Sequence, residues 1–254
     1  MGYLNEYVKV EQRGRIMELS HTLMGKNGNA TISKYIYLKV AQGFHWATKE
    51  HFILWFTGRT ERHRRTETIL PRLVRKGKLT SYQYKKRLIY AVPRVNRKRI
   101  KGKKYYPKVE HGLGCTEGLV RFWLSRKGEI IPERKFRGFE VVPEWGIKYG
   151  DDLILYEFCT EDNFYQSGNV QGKITRYKKH LRGIEQQFRG KVSVVFVIDV
   201  DRWTVQNFVD EKIPIGEQFF FSDYDTFLKS PYGEQLIDPI YIWGDNGWPY
   251  PLES

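Results

Sequence analysis

Short apolar runs, each bounded by turn-forming residues, recur in the second half of the sequence. Residues 139–142 and 153–158 are two such runs, and their length and composition predict β-strands. Gly150, followed by Asp151 and Asp152, lies between them, so the sequence predicts a tight hairpin that joins the two strands.

A carboxylate breaks the apolar pattern of each predicted strand. Glu144 follows Pro143 after the first run, and Glu157 lies inside the second. Adjacent antiparallel strands can bring such side chains within several ångströms of each other. Because bare like charges repel, two carboxylates placed in this way need a cation or a proton between them.

The same reading of apolar spacing predicts the other elements of the second half. A helix over 171–187 carries Lys173, Arg176 and Lys179 in its first turns. The remaining predicted elements are a helix over 111–125, a first strand over 130–137, a strand over 192–200, and a last strand and turn that cover the sheet edge near the end of the chain. The predicted order is helix, three strands, helix, strand.

The first half has helical spacing followed by a hairpin pattern. Helices are predicted over 13–24, 30–42, 48–56 (with Thr48 as the N-cap) and 60–76. The last of these has an apolar stripe that contains Pro71, which should kink the helix or start a new turn. Strands over 78–84 and 87–92 flank Lys85 and Lys86, a β-hairpin with a basic tip.

Positive charge is concentrated in one segment. The chain has a net charge of +14, and residues 57–104 contain 18 lysine and arginine residues against two glutamates. A charge run usually forms a solvated face, but this concentration favours a polyanionic partner, and double-stranded DNA is the first choice.

The remaining composition limits the function classes. The two cysteines, Cys115 and Cys159, have no metal-site spacing and predict reduced thiols in a cytoplasmic protein. No apolar run approaches the ~20 residues that span a bilayer, so no membrane partner is expected.

Three helices followed by a basic hairpin resemble a winged helix-turn-helix domain. That resemblance implies that the third helix enters the major groove of DNA and that the hairpin, as the wing, contacts the backbone or the minor groove. The alternative is a winged helix used for protein contacts. The expected DNA-binding residues are Arg62, Arg64, Arg65 and Arg72 on the helix, Lys85, Lys86 and Arg87 at the wing, and Arg97, Lys98 and Arg99 in the segment that follows.

The second half resembles the PD-(D/E)XK nuclease superfamily, whose core has the same order of elements. Pro143 and Glu144 would stand for its Pro-Asp, and Glu157 for its second acid. Cys159 occupies the usual lysine position, and the resemblance implies that Lys173 replaces that lysine from the following helix. The alternative is an acid pair on an ordinary sheet.

Both halves together resemble the replication-relaxation family of plasmids and mobile elements. The resemblance covers roughly residues 30–252 and implies a role in DNA processing during plasmid replication or transfer. The shared points are His111, Pro132-Glu133-Arg134, Glu157 with Thr160-Glu161, the helix start Lys173-Ile174-Thr175-Arg176-Tyr177, and Pro239-Ile240-Tyr241-Ile242-Trp243.

These resemblances imply an α+β or α/β chain. They place a winged helix-turn-helix domain over 1–93, a basic linker over 94–108, and a restriction-endonuclease-like αβββαβ core over 109–254. The implied activity is an endonuclease or nickase that cuts DNA with Mg²⁺ or Mn²⁺.

In the implied site, Glu144 and Glu157 hold the metal, and Glu133 or Glu117 adds a ligand or a base. Lys173 orients the metal-bound water or stabilises the developing charge. The first alternative is a non-catalytic DNA-binding accessory factor or repressor with a degenerate nuclease fold. A thiol enzyme that uses Cys159 is a further alternative. The sequence leaves a homodimer open.

Overall fold

The computed structural model describes residues 44, 46–57, 64–93, 106–126, 129–131, 136, 138–166, 168–212, 218–229, 242–243 and 249–250. The chain divides into two compact units, Met1–Val120 and Arg121–Ser254. Both contain helices and a sheet, so the predicted mixed α+β class is confirmed. None of the described helices is long and apolar enough to cross a membrane.

The first unit contains a small antiparallel sheet of order β1-β3-β2. Its described elements are β1 (Ala47–Thr48), α1 (Lys49–Thr57), α2 (Arg64–Arg75), β2 (Thr80–Tyr84), β3 (Arg87–Ala91) and the first part of α3 (Tyr106–Arg126), which continues into the second unit. The predicted helices over 13–24 and 30–42 and most of the predicted linker, 94–105, lie outside the described residues.

Local sequence explains where these elements begin and end. The Thr48 hydroxyl accepts a bond from the backbone N–H of His51 at 3.4 Å, as predicted for the N-cap of α1. Helix α2 continues through Pro71, so the proline starts no new helix, and the buried residues of its stripe include Ile69, Leu70 and Leu73. The predicted hairpin is confirmed, because Lys85, with φ of 49°, and Lys86 form the turn between β2 and β3.

The second unit contains a five-stranded sheet of order β4-β5-β6-β7-β8, antiparallel from β4 to β6 and parallel from β6 to β8. Helix α5 packs its apolar stripe on one face of this sheet. The elements are β4 (Glu129–Ile131), β5 (Trp145–Tyr149), β6 (Asp152–Cys159), α4 (Glu161–Tyr165), α5 (Asn169–Phe188), β7 (Lys191–Ile198), α6 (Arg202–Lys212), β8 (Phe219–Asp223), α7 (Tyr224–Lys229), β9 (Ile242–Trp243) and β10 (Pro249–Tyr250).

The hairpin at Gly150 is confirmed, but its first strand lies elsewhere than predicted. Gly150 has φ of +56°, and Tyr149 pairs with Asp152 across the turn. The strand that precedes this turn is therefore β5, and residues 139–142 are not a strand. Glu140 has φ of 56°, which is incompatible with extended backbone in that run.

Two other predicted boundaries also change. The strand predicted over 130–137 does not reach Phe136, which lies in a short helical turn. Helix α3 begins at Tyr106 instead of residue 111, so it includes the last residues of the predicted linker. The order helix, three strands, helix, strand is otherwise found as predicted, with the short helix α4 inserted between β6 and α5.

Each face of the large sheet is closed by its own apolar layer. On one face, Leu153 and Leu155 of β6 pack with Ile174 and Leu181 of α5. Aromatic side chains cover the other face, where the rings of Trp145 and Tyr156 stack with centroids 4.4 Å apart. From Leu153 to Cys159 the residues of β6 thus alternate between two buried faces, so a polar side chain in this stretch is desolvated.

Candidate nucleic-acid interface and carboxylate site

The first unit presents cations on α2, on the turn after it and at the hairpin tip. Helix α2 directs its apolar stripe into the unit, which leaves its basic side chains in solvent. The exposed cations are Arg64, Arg72, Arg75, Lys76, Lys78, Lys85, Lys86 and Arg87, and Arg65 is half-buried. The other predicted DNA contacts, Arg62, Arg97, Lys98 and Arg99, lie outside the described residues.

The hairpin tip is tied to α3 by one carboxylate that sequence reasoning missed. Glu110 Oε1 accepts a hydrogen bond from the hydroxyl of Tyr84 and lies 2.6 Å from Lys85 Nζ. Tyr84 is buried, whereas the Lys85 side chain is 65% exposed, so Tyr84 fixes the tip and Lys85 remains accessible to a ligand.

In the second unit, Glu157 lies on the face of β6 that packs against α5, and it is only 2% exposed. Trp145 pairs with Tyr156, and the backbone N–H of Glu144 donates to the Tyr156 carbonyl at 2.9 Å. Glu144 therefore lies just before β5, beside the pair of Trp145 and Tyr156, and its charge acts on Glu157. The two carboxylates are thus placed with Glu157 on β6 and Glu144 immediately before β5.

Two donors from α5 reach the Glu157 carboxylate. Lys173 Nζ donates to Oε2, and the Tyr177 hydroxyl donates to Oε1 at 2.7 Å. Lys173 and Tyr177 are four residues apart, so one helix face carries both donors. The structure thus brings together three of the predicted site residues, Glu144, Glu157 and Lys173, and adds Tyr177, whose signal in the sequence is its spacing from Lys173.

Burial and charge act together on these groups. Burial raises the pKa of Glu157 above its ordinary value; Lys173 opposes this shift and Glu144 adds to it. Burial acts to lower the pKa of Lys173, but the carboxylates of Glu157 and Glu144 outweigh it, so this pKa is raised. Burial and the Glu157 charge raise the pKa of Tyr177 well above its ordinary value.

The hydrogen-bond contacts indicate one protonation state for these groups. Both Glu157 oxygens accept hydrogen bonds, which suits a carboxylate, while Lys173 holds its proton as an ammonium and Tyr177 as a phenol. The Lys173 ammonium therefore offsets the negative charge of the Glu157 carboxylate.

Two other residues considered from sequence have different surroundings. Burial raises the pKa of Cys159 to about 12, so it is a thiol at neutral pH and unsuited to nucleophilic chemistry. Glu117 Oε2 lies 2.6 Å from Nε2 of His51 in the first unit, where both side chains are buried. Glu133 lies outside the described residues.

A metal ion can be tested against this donor set. Carboxylate oxygens are the ligands that Mg²⁺ and Mn²⁺ prefer, and Glu157 on β6 and Glu144 just before β5 provide them. The donor chemistry therefore fits, although Lys173 already neutralises Glu157 Oε2.

Comparison with known proteins assigns no family: no family model, curated protein or solved structure matches the sequence.

Proposed function

We propose that this protein binds double-stranded DNA through its first unit. The observation that carries the proposal is the set of exposed cations on α2 and at the tip of the hairpin β2–β3, within the segment that holds the whole excess charge of the chain. Phosphate contacts by such side chains supply the main part of non-specific DNA affinity.

The order of elements supports a winged helix-turn-helix arrangement. Helix α2 would be the recognition helix, with Arg64 and Arg65 at its described start, and the β2–β3 hairpin would be the wing. Pairing of β1 with β3 gives this hairpin a third strand, which stabilises the wing.

The salt dependence of DNA binding tests this proposal. Arg64→Ala/Arg65→Ala and Lys85→Ala/Lys86→Ala should each weaken binding to duplex DNA and reduce the slope of log K against log salt by about 0.9 for each phosphate that the variant no longer neutralises. Arg182→Ala/Lys191→Ala removes two exposed cations of the second unit and is the matched control. An equal effect of all three pairs would exclude the first unit as the specific interface.

We propose as a second function that the second unit cuts DNA with a divalent metal ion. The specific observation is the charge interaction between Glu144 and the buried Glu157, with Lys173 reaching Glu157 from α5. This arrangement agrees with the resemblance to PD-(D/E)XK nucleases and to the replication-relaxation family. Glu144 and Glu157 would hold the ion, which when bound polarises a phosphate and lowers the pKa of a water molecule.

Lys173 would stabilise the charge that develops on the phosphate, because an ammonium retains its proton next to two carboxylates.

The test of metal-dependent cutting is conversion of supercoiled plasmid to nicked or linear DNA with Mg²⁺ or Mn²⁺. Glu157→Gln should abolish cutting but leave DNA affinity unchanged. If the wild type binds DNA but cuts nothing with either ion, the non-catalytic accessory factor or repressor replaces the nuclease.

A further inference from the structure

We infer that Lys173 is the resident cation of the carboxylate site and that a divalent ion must displace its ammonium from Glu157 Oε2. The inference rests on the proposed metal site and concerns how that site is regulated. It starts from the fact that the buried Glu157 carboxylate already has a donor on each oxygen.

The two donors differ in what they can release. Tyr177 is neutral, buried and fixed by the core that surrounds α5, so its hydrogen bond to Oε1 can persist when an ion is bound. Lys173 is charged, its side chain is 27% exposed, and its flexible stem lets the ammonium withdraw toward solvent. Oε2 is therefore the position where one cation can replace another.

The Lys173 ammonium and a divalent ion compete for Glu157 Oε2 because their positive charges repel each other. A divalent ion beside Glu157 would meet the ammonium at hydrogen-bond distance, where like charges repel strongly in a buried setting. Replacing Lys173 by an uncharged residue removes the ammonium that competes with the divalent ion. It also removes the positive charge that the ammonium places beside Glu157 and Glu144. The carboxylates are then held close together without that counter-charge, and a metal ion can supply it.

The experiment compares the wild type with Lys173→Met, which keeps the length of the side chain without its charge. Melting temperature is measured in EDTA and in Mn²⁺, and Mn²⁺ affinity by electron paramagnetic resonance. In EDTA the variant should melt below the wild type. Mn²⁺ should raise its melting temperature more than that of the wild type, and its affinity for Mn²⁺ should be at least about tenfold tighter.

Three further variants identify the site. Lys173→Arg keeps the charge and should behave like the wild type, whereas Glu144→Gln/Lys173→Met should lose the additional Mn²⁺ effect. Glu157→Gln/Lys173→Met removes both members of the ion pair and should recover stability in EDTA relative to Lys173→Met. If Lys173→Met does not fold in EDTA, refolding in Mn²⁺ should recover it, and failure to do so counts against the inference.

The outcomes separate this inference from the proposed function. Equal Mn²⁺ affinity of the wild type and Lys173→Met overturns displacement but leaves the metal site standing. Absence of Mn²⁺ binding in both proteins overturns displacement together with metal-dependent cutting, whereas DNA binding by the first unit is unaffected. Tighter binding by Lys173→Met supports displacement even if the wild type cuts no DNA.

Discussion

Lys85 Nζ lies 2.6 Å from Glu110 Oε1, so the exposed tip of the β2–β3 hairpin is paired with a carboxylate of α3. The same oxygen accepts the hydrogen bond of the buried Tyr84 hydroxyl. Glu110 thus has two separate effects: it anchors the hairpin through Tyr84, and it partly neutralises a cation that we propose to contact DNA. A phosphate group that binds Lys85 must compete with Glu110.

Glu110→Gln should therefore strengthen DNA binding a few-fold and increase the salt slope by up to about one unit. The amide oxygen can still accept from Tyr84, so the hairpin keeps its anchor, while Lys85 loses its ion pair. Fluorescence anisotropy over a range of salt concentrations measures both quantities. Glu129→Gln makes the same change of charge in the second unit, and identical effects of the two variants would show that Glu110 does not compete with phosphate.

Tyr177→Phe should destabilise the protein by about 1–3 kcal/mol, because it removes a hydrogen-bond donor from a buried carboxylate while retaining the packed ring. Urea unfolding measures the free-energy difference. Tyr165→Phe removes the hydroxyl of a side chain that is 63% exposed, and it should stay within about 0.5 kcal/mol of the wild type. A Tyr177→Phe variant as stable as Tyr165→Phe would mean that the bond to Glu157 contributes nothing.

The sequence predicts best where a turn fixes the geometry. Gly150 and the Lys85-Lys86 pair each mark a two-residue turn, and both turns occur where predicted. A turn also determines which strands are neighbours, so an interaction between Glu144 and Glu157 could be anticipated. The spacing of apolar residues likewise located α5 within two residues at each end.

Prediction failed where tertiary contacts override the local pattern. Residues 139–142 are apolar enough for a strand, but the positive φ of Glu140 breaks the run. Residues 145–149 form the strand instead, because Gly146 fits closely between Phe136 and Leu155 and Trp145 stacks on Tyr156. These partners are distant in sequence, so no local spacing reveals them. The same holds for Glu110, whose partners lie about 25 residues away.

Glu140 provides a test by pH. A hydrogen bond and charge attraction from Lys179, with a smaller contribution from His180, lower the pKa of this exposed carboxyl below its ordinary value. A lowered folded-state pKa stabilises the fold above the ordinary pKa of the carboxyl, and this contribution is lost as the pH falls through the folded-state value. Lys179→Met should raise the pKa of Glu140, which an NMR titration of the side chain measures.

The control for this titration is Lys178→Met, because Lys178 lies over the Phe219 ring on a different side of the helix from the Glu140 contact. It should leave the Glu140 titration close to that of the wild type. A Glu140 pKa that does not respond to Lys179→Met would contradict the assigned cause of the shift.

Gly190 connects α5 to β7 at a point where no larger residue fits. A Cβ atom placed there would lie 2.3 Å from the backbone carbonyl oxygen of Asp151, in the turn of the hairpin β5–β6. That same carbonyl accepts the N–H of Lys191 at 2.7 Å, so it cannot move away without losing the first bond of the β6–β7 pairing. Gly190→Ala should therefore destabilise the protein by about 1–3 kcal/mol in urea unfolding.

The control is Gly138→Ala, where the added Cβ meets nothing within 4 Å, and its free energy of unfolding should stay within about 0.5 kcal/mol of the wild type. Equal stability of the two variants would show that the α5–β7 connection tolerates displacement and that the hairpin turn is not held by Lys191.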